Sequence, residues 1–415
     1  MKKNINFIDL FSGCGGLSEG FYEQGFTGIA HVEWESPMVN TLRNRLVKKW
    51  GYTESKANAS VIKFDIQKTN ELLNGNWSED TIKLYSKDNS SVVIEKGIDG
   101  LVGNAKVDVI IGGPPCQAYS IAGRAQDPNS MKDDYRNYLF ESFVKVVNHY
   151  NPKLFVFENV PGILSANPGG KPVINRIYKA FEDIGYEIRK PNEMKKSIYS
   201  AADFGVPQDR NRVIIFGVKK NGDIKLEDLY TELSKLKSNG PRKTVKDAIG
   251  EMPKFIPLEA PYKCGRKNIS HEVIGENNYS LNEARYLNKR DISIYKEWVD
   301  NNMNNLPTQK KLEYYANKVG KKTNHNKYRS LNWDKPSPTI VSHLYKDGHM
   351  FIHPDSSQAR SITIREAAIL QSFPNDFIFL GSNAYCYKMI GNAVPVLFAK
   401  KIAEAIENIL ERDEI

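Results

Sequence analysis

The chain has 415 residues, of which 40% are hydrophobic and 26% are charged, a balance typical of one large or two ordinary globular domains. This composition excludes a collagen-like chain, a small disulfide-stabilised domain and a mostly disordered protein. No run of 18 apolar residues occurs, and the first nine residues lack the apolar stretch of a signal peptide. We therefore expect a cytoplasmic protein with no membrane contact.

The positive charge is concentrated in one part of the chain. The net charge is +9, and residues 220–330 contribute 8 of it, with 22 basic and 14 acidic residues. Such a segment is typical of a polyanion-binding region, although the same charge could cover an ordinary solvated surface. The four cysteines form no CxxC pair and no zinc-like cluster with histidine, so the sequence predicts neither a disulfide framework nor a metal site.

Short apolar runs alternate with amphipathic stretches through the first half of the chain. In chain order we predict a strand at 5–11, a helix from 16 to about 24, strands at 28–32 and 107–111, a helix at 138–150, a strand at 154–157, a helix at 174–184, a strand at 212–217 and a terminal helix at 394–410. This alternation predicts an α/β fold with a doubly wound, mostly parallel sheet.

Two segments depart from the alternation. The polar stretch 66–105 is interpreted as an elaborated surface connection without an assigned function. From 220 to about 345, Pro, Lys, Asn and Tyr accumulate irregularly, which predicts a second, smaller and irregular domain.

A glycine-rich turn, Phe-Ser-Gly-Cys-Gly-Gly at residues 11–16, follows the first strand. A strand, a glycine turn and a helix in series let a ligand approach the backbone, although a packing turn has the same composition. The third glycine of the dinucleotide pattern is missing, which favours a nucleoside ligand over a nicotinamide dinucleotide. Glu33 lies 20 residues after Gly13, where a carboxylate can accept hydrogen bonds from ribose hydroxyls.

Polar motifs also stand at the ends of later strands. Cys116 follows a strand and two prolines, a restricted loop that suits a nucleophile, although a lone cysteine is more often an inert buried thiol. Glu158 and Asn159 end the next strand, where a carboxylate could act in the same cleft. Arg210 and Arg212 precede the last strand. Each of these motifs, taken alone, also fits an ordinary polar surface.

Taken together and in this order, the motifs resemble the DNA (cytosine-5-)methyltransferase family. Residues 360–374, Arg-Ser-Ile-Thr-Ile-Arg-Glu-Ala-Ala-Ile-Leu-Gln-Ser-Phe-Pro, resemble its ninth conserved block, and residues 387–395, Tyr-Lys-Met-Ile-Gly-Asn-Ala-Val-Pro, resemble its tenth. The resemblance covers roughly 1–217 and 330–410. It implies a Rossmann-like methyltransferase sheet and, because 415 residues leave no room for an appended regulatory domain, the prokaryotic restriction-modification type.

The resemblance implies S-adenosyl-methionine as cofactor. The glycine turn would hold its methionine part, Glu33 its ribose, Trp34 the face of its adenine and Asp65 the adenine amino group. Asp65 follows Glu33 by 32 positions, a longer spacing than the family usually has. The implied cofactor-binding residues are Phe11, Gly13, Gly15, Gly16, Glu33, Trp34, Asp65, Pro114, Asn392 and Ala393.

The resemblance also implies the chemistry. Cys116 would attack carbon 6 of cytosine, so that carbon 5 can accept a methyl group. Glu158 would bind or protonate ring nitrogen 3, and Arg212, together with Arg210, would bind the base carbonyl or shape the site. Asn159 would help to order the cysteine loop.

Duplex DNA is the implied substrate, and its target base has to leave the helix to be reached. Residues 118–136 resemble the family's mobile loop, which closes over the flipped base. The DNA-binding residues that we predict are Ser120, Arg124 and Arg136 in this loop, and Lys289, Arg290, Lys327 and Arg329 in the basic segment.

We expect a discontinuous catalytic and cofactor-binding domain, residues 1–219 and 382–415, and a target-recognition domain, residues 220–381. A monomer is expected, and a cognate restriction endonuclease would share the DNA target without having to bind this protein. Two alternatives stay open: a transfer RNA cytosine-5 methyltransferase, and a catalytically inactive DNA-binding paralogue.

Overall fold

A computed structural model describes residues 4–115 and 139–412 of the chain. Its strands are β1 (Asn6–Leu10), β2 (Thr27–Glu33), β3 (Val61–Lys63), β4 (Val109–Gly112), β5 (Leu154–Asn159), β6 (Tyr186–Glu187), β7 (Ile198–Ser200), β8 (Gln208–Asp209), β9 (Asn211–Lys219), β10 (Lys254–Cys264), β11 (Lys267–Ile274) and β12 (Ser337–Pro338).

The α-helices are α1 (Gly16–Glu23), α2 (Ser36–Lys48), α3 (Glu54–Ser60), α4 (Thr69–Asn74), α5 (Glu79–Tyr85), α6 (Ser91–Val102), α7 (Leu139–Tyr150), α8 (Val173–Asp183), α9 (Leu226–Lys235), α10 (Val245–Ile249), α11 (Lys289–Asp300), α12 (Thr308–Val319), α13 (Ile364–Leu370), α14 (Asn383–Asn392) and α15 (Val396–Arg412). Short 3-10 helices cover Ser86–Asp88, Pro161–Ser165, Pro168–Gly170, Met194–Ser197, Ala201–Phe204, Met303–Asn305 and Ser342–Tyr345.

The chain divides into two compact units. The first contains Met1–Gly205, Asn211–Asn239 and Ala393–Ile415, and the second contains Val206–Arg210 and Gly240–Asn392. These bounds differ from the functional domains expected at 1–219 with 382–415 and at 220–381, which stay a prediction.

Packing explains where the units divide. Residues 220–239 belong to the first unit because α9 packs on α15, where Glu232 pairs with Arg412 at 2.8 Å. Residues 382–392 belong to the second unit because α14 is bound to its loops. There the Tyr387 hydroxyl donates to the Ile362 carbonyl at 2.9 Å.

The first unit is built on one mixed sheet with the strand order β3-β2-β1-β4-β5-β9-β6, and β7 pairs with β9. Strands β1 to β5 run parallel, whereas β9 runs antiparallel to β5, β6 and β7. The predicted doubly wound, mostly parallel sheet is therefore confirmed. Its strands are rich in Val, Ile and Phe with both faces buried, as parallel strands between helices require.

Helix α15 returns from the far end of the chain and packs against α1. Gly20 permits this contact, because a Cβ atom at that position would lie 2.3 Å from the backbone nitrogen of Lys400. The ion pair between Lys400 and Glu23, at 3.4 Å, stands on the same interface. The predicted terminal helix thus lies against the helix that follows the glycine turn.

The expectation that residues 66–105 form only a polar surface connection was wrong. The segment folds into α4, α5 and α6, and the Trp77 ring packs against the Phe64 ring, with centroids 4.8 Å apart and planes tilted by 36°. Gly75 and Gly97 lack a Cβ atom, which lets the backbones of α4 and α6 come into direct contact. Polar residues dominate the sequence here, but the few apolar ones join the main core.

The second unit is smaller and less regular than the first, as predicted: long loops separate its helices α10 to α14 and its one long hairpin in the described part of the chain. Buried polar groups hold its loops: the guanidinium of Arg360 donates to both carboxylate oxygens of Glu366 at 2.7 Å, and both side chains are fully buried. The antiparallel hairpin of β10 and β11 projects from this unit with most of its residues exposed.

We predict that Gly20→Ala destabilises the protein. An alanine normally stabilises a helix interior by about 0.5–1 kcal/mol relative to glycine. Here its Cβ would collide with the backbone of α15, and overpacking of this kind costs about 1–3 kcal/mol. Urea unfolding should show a lower midpoint for Gly20→Ala and an unchanged midpoint for Gly240→Ala, whose Cβ meets open space. A stabilised Gly20→Ala protein would contradict the packing of α1 on α15.

Candidate active site

The direction of strand addition reverses between β1 and β4. From β1 the chain adds β2 and β3 on one side of the sheet and later adds β4 and β5 on the other side. In open parallel sheets, ligands bind outside the carboxyl ends of the strands at such a reversal. Several of the residues that the sequence predicts as functional stand at or just after the carboxyl ends of these strands.

Glu33, at the end of β2, is fixed by the backbone around it. Its Oε2 accepts a hydrogen bond from the amide of Gly13 at 2.9 Å, and its Oε1 accepts from the amides of Trp34 and Glu35, each at 2.8 Å. Burial raises the pKa of the Glu33 carboxyl, and the three backbone donors oppose that rise. The carboxylate thereby joins the end of β2 to the glycine turn after β1.

The glycine turn is open on the ligand side. Gly13 has a φ of +56°, and a Cβ atom there would meet nothing within 4 Å. Gly15 has a φ of +93° and lies against Leu42 of α2, so this glycine serves packing. Phe11 begins the turn, and Gly16 is the first residue of α1.

Trp34 and Asp65 stand beside Glu33 on the same edge. The Trp34 side chain is 55% exposed, which is unusual for an indole and leaves a ring face available. Asp65 comes two residues after β3, and the amide of the intervening Phe64 donates to the Glu33 carbonyl at 3.0 Å. Helices α2 and α3 account for the long gap between Glu33 and Asp65. An exposed indole flanked by two carboxylates fits a nucleoside.

A buried polar chain lies under the glycine turn, and the sequence reasoning missed it. The hydroxyl of Ser18 donates to Asp9, the Nδ1 of His31 lies 3.1 Å from that hydroxyl, and the hydroxyl of Tyr22 lies 2.8 Å from His31 Nε2. Burial raises the pKa of Asp9 to about 8 and lowers that of His31 to about 3. An acid inside an apolar strand was the signal for this cluster.

On the other side of the reversal, Glu158 and Arg212 form a buried ion pair. The Arg212 Nε lies 2.7 Å from Glu158 Oε1, and both residues are only 9% exposed. They meet because β9 runs antiparallel to β5, which brings the first residues of β9 to the carboxyl end of β5. Breaking such a buried pair by truncating one partner costs about 3–5 kcal/mol.

Asn159 connects β5 to the loop that leads to Cys116. Its side-chain amide donates to the Pro114 carbonyl at 3.1 Å, and its side-chain oxygen accepts from the amide of Val160 at 2.9 Å. Cys116 itself lies outside the described residues, as do Ser120, Arg124 and Arg136.

Gly113 is a further site residue that the sequence analysis did not select. A Cβ atom there would lie 2.6 Å from Glu158 Oε2. The glycine therefore leaves the space in which the Glu158 carboxylate sits. The signal was present in the sequence, because Gly113 is the second glycine before the two prolines.

Two of the predicted site residues, Arg210 and Asn392, belong to the second unit and not to the unit that contains the sheet. Arg210 belongs to the second unit, where its guanidinium donates to the carbonyls of Ile340 at 2.8 Å and Gly391 at 2.9 Å. These contacts hold backbone, and a part for Arg210 in catalysis stays a prediction. Asn392 is exposed at the end of α14 in the second unit, whereas Ala393 belongs to the first.

The four predicted DNA-binding residues of the second unit differ in exposure. Lys289, the first residue of α11, is exposed, and Arg290 pairs with Asp291 at 3.0 Å. Lys327 is half-buried, 3.0 Å from a histidine nitrogen. Burial lowers the pKa of Arg329, whose Nε donates to a backbone carbonyl at 3.4 Å. Their roles stay predictions.

Neither a metal-binding cluster nor a membrane-spanning helix is found in residues 4–115 and 139–412. Among these residues, His, Cys, Asp and Glu form no group of three that could hold a metal ion. Within the same part of the chain, every helix is too short or too polar to cross a membrane.

Comparison with known proteins identifies the class. The sequence matches the model of the family described as C-5 cytosine-specific DNA methylase over residues 5–76 and 57–408. A crystal structure described as a DNA modification methyltransferase from a prophage (E. coli) superposes with a TM-score of 0.58 at 25% identity, covering 98% of this chain and all of that one. The Schizosaccharomyces pombe Dnmt2 methyltransferase shares the fold, with a TM-score of 0.52 at 14% identity and 99% of each chain covered.

The chain belongs to the C-5 cytosine-specific DNA methylase family, whose members are DNA (cytosine-5-)methyltransferases. Its relatives are type II methyltransferases of restriction-modification systems. M.Bpa9945I of Bacillus paralicheniformis is 34% identical, with 97% of this chain and 98% of the relative covered. M1.HphI of Haemophilus parahaemolyticus is 33% identical, with 97% and 87% covered.

We predict that Gly113→Ala lowers the rate of methyl transfer without unfolding the protein. The new Cβ would displace the carboxylate of Glu158, which is the end of a flexible side chain and can move where backbone could not. A displacement of about 1 Å at a catalytic group lowers the rate about 100-fold. Single-turnover kinetics should show the slower step, with the unfolding midpoint unchanged.

The matched control is Gly240→Ala, because neither glycine has a positive φ and the added Cβ at 240 meets open space. Gly240→Ala should keep the parental rate. A Gly113→Ala enzyme as fast as the parent would show that the position of Glu158 does not limit the reaction.

Proposed function

We propose that this protein transfers the methyl group of S-adenosyl-methionine to carbon 5 of a cytosine in a short specific sequence of duplex DNA. One observation carries the proposal. The buried ion pair of Glu158 and Arg212 lies at the end of β5, and Glu33 with the glycine turn lies at the ends of β2 and β1. Strand β4, from which the loop to Cys116 begins, runs between these two sites in the sheet.

The residues of the glycine turn and its neighbours fit the cofactor. Glu33 would accept hydrogen bonds from the ribose hydroxyls, Trp34 would cover the adenine face, and Asp65 would accept from the adenine amino group. Gly13 leaves backbone accessible where the methionine part would lie. When bound, S-adenosyl-methionine supplies an electrophilic methyl group.

The chain supplies the groups that make carbon 5 of cytosine reactive. The thiolate of Cys116 attacks carbon 6 of the base, and the resulting enamine can accept a methyl group at carbon 5. Glu158, held by Arg212, binds ring nitrogen 3 and stabilises the charge that develops there. Methyl transfer would release S-adenosyl-homocysteine. A base then takes the carbon-5 proton, and elimination of the Cys116 thiolate from carbon 6 restores the ring.

Neither face of the cytosine ring can be reached inside a duplex, so the base has to be flipped out. The second unit, which includes most of the basic segment 220–330, would bind phosphates and read the sequence. Methylation of that sequence would protect host DNA from a cognate endonuclease. The names of M.Bpa9945I and M1.HphI, both type II methyltransferases, support DNA rather than RNA as substrate.

Glu33→Ala should raise the dissociation constant of S-adenosyl-methionine about tenfold or more, because hydrogen bonds to a charged group contribute about 1.5–3 kcal/mol. Isothermal titration calorimetry in the absence of DNA measures this dissociation constant. The control is Glu35→Ala, because Glu35 contacts Glu33 through its backbone amide and the substitution leaves that bond in place. DNA affinity without cofactor should barely change, and an unchanged cofactor affinity would remove Glu33 from the site.

Cys116→Ser should lose methyl transfer, because a hydroxyl is far less ionised than a thiol near neutral pH. Duplexes with 5-fluorocytosine at the target should trap a covalent adduct with the parent enzyme, since fluorine does not leave as a proton does. The adduct should be absent with Cys116→Ser. Near-parental turnover by Cys116→Ser would overturn the mechanism.

A further inference from the structure

The β10–β11 hairpin has a rigid base and an exposed tip. At the base, the backbone amide of Phe255 donates to the Gln358 side chain at 3.0 Å, and His271 Nε2 lies 3.0 Å from the Gln358 carbonyl. Both Phe255 and His271 are buried. Beyond an irregularity between Pro257 and Tyr262, nearly every residue of the hairpin is exposed.

The tip is a regular two-stranded ribbon. Tyr262 faces Ile269 and Lys263 faces Asn268, and Cys264 and Lys267 flank a two-residue turn. The first turn residue, Gly265, has a φ of +57°, as the common type II′ hairpin turn requires. Two strands lie about 4.8 Å apart, so such a ribbon with its side chains fits the major groove, which is about 12 Å wide.

The charge of the tip is complementary to DNA. Residues 262–270 contain Lys263, Arg266 and Lys267 and no acidic residue. Lys267 pairs with Glu283 at 2.7 Å. Tyr262 is 55% exposed, and an aromatic ring on such a surface is suited to contact with sugar or base.

We propose that this tip, residues 262–268, enters a groove of the target duplex, where Arg266 contacts a base edge and Lys263 a phosphate. The proposal rests on the proposed function and adds the element that reads the sequence. Arginine at the end of a narrow ribbon reaches guanine as a bidentate donor, and the opposed pair Lys263 and Asn268 presents further donors beside it.

The first experiment uses the full-length enzyme after its methylated sequence has been determined in cells. Arg266→Ala should relax the sequence preference at one base pair, lowering discrimination about 10- to 100-fold. Lys263→Ala should keep the sequence and lower the slope of log affinity against log salt by about one unit. Lys179→Ala is the control, since this lysine is exposed on α8 of the first unit.

The second experiment measures alkylation of Cys264, the exposed thiol at the tip, by iodoacetamide with peptide-level mass spectrometry. A saturating target duplex should slow its modification at least about tenfold. Equal rates with and without duplex, together with parental specificity of Arg266→Ala, would overturn the proposal. Protection of Cys264 that increases with protein concentration in the absence of DNA would also overturn the proposal, because the tip would then contact a second copy of the chain.

These outcomes are separate from failure of the proposed function. If the parent enzyme transfers no methyl group to any DNA, the proposed function fails. If it methylates DNA while the tip variants behave as the parent, only the role of the hairpin fails.

Discussion

The arrangement of the first unit depends on the reversal of strand order between β1 and β4. Because the ladders of a parallel sheet align the carboxyl ends of its strands, every residue that directly follows a strand is brought to one edge. The side chains after β2 and β3 thus stand on one side of the reversal and those after β5 on the other. Antiparallel β9 adds its first residues to the same edge.

Two carboxylates at this edge are fixed by different partners. Glu33 is held by three backbone amides, so its position follows from the turn geometry, whereas Glu158 is held by the guanidinium of Arg212. They lie at the carboxyl ends of β2 and β5, which are three strand spacings apart, or about 14 Å. The two carboxylates therefore stand at separate points of the edge, each in its own electrostatic surroundings.

In the second unit, buried side chains hold the loops by hydrogen bonds to backbone carbonyls. Its loops form few ladders, so their backbone carbonyls need other donors. Buried side chains supply them: Arg210 donates to two carbonyls, Arg365 binds the carbonyls of Ser280 and Phe377, and Gln208 binds that of Leu370. These bonds connect distant stretches of chain.

The sequence by itself determined the α/β class, the five longest or most apolar strands of the sheet and the order of the motifs, because apolar runs, glycine turns and periodic helices are local patterns. It also identified the family, because several short motifs occur together in the order that is typical of that family. Only the tertiary structure placed Gly113 against Glu158, which lies 45 residues further along the chain. The same holds for the contact of Arg210 with Gly391, the burial of residues 66–105 and the exposure of the hairpin. Each of these depends on which distant backbone comes close, and no local spacing of residue types records that.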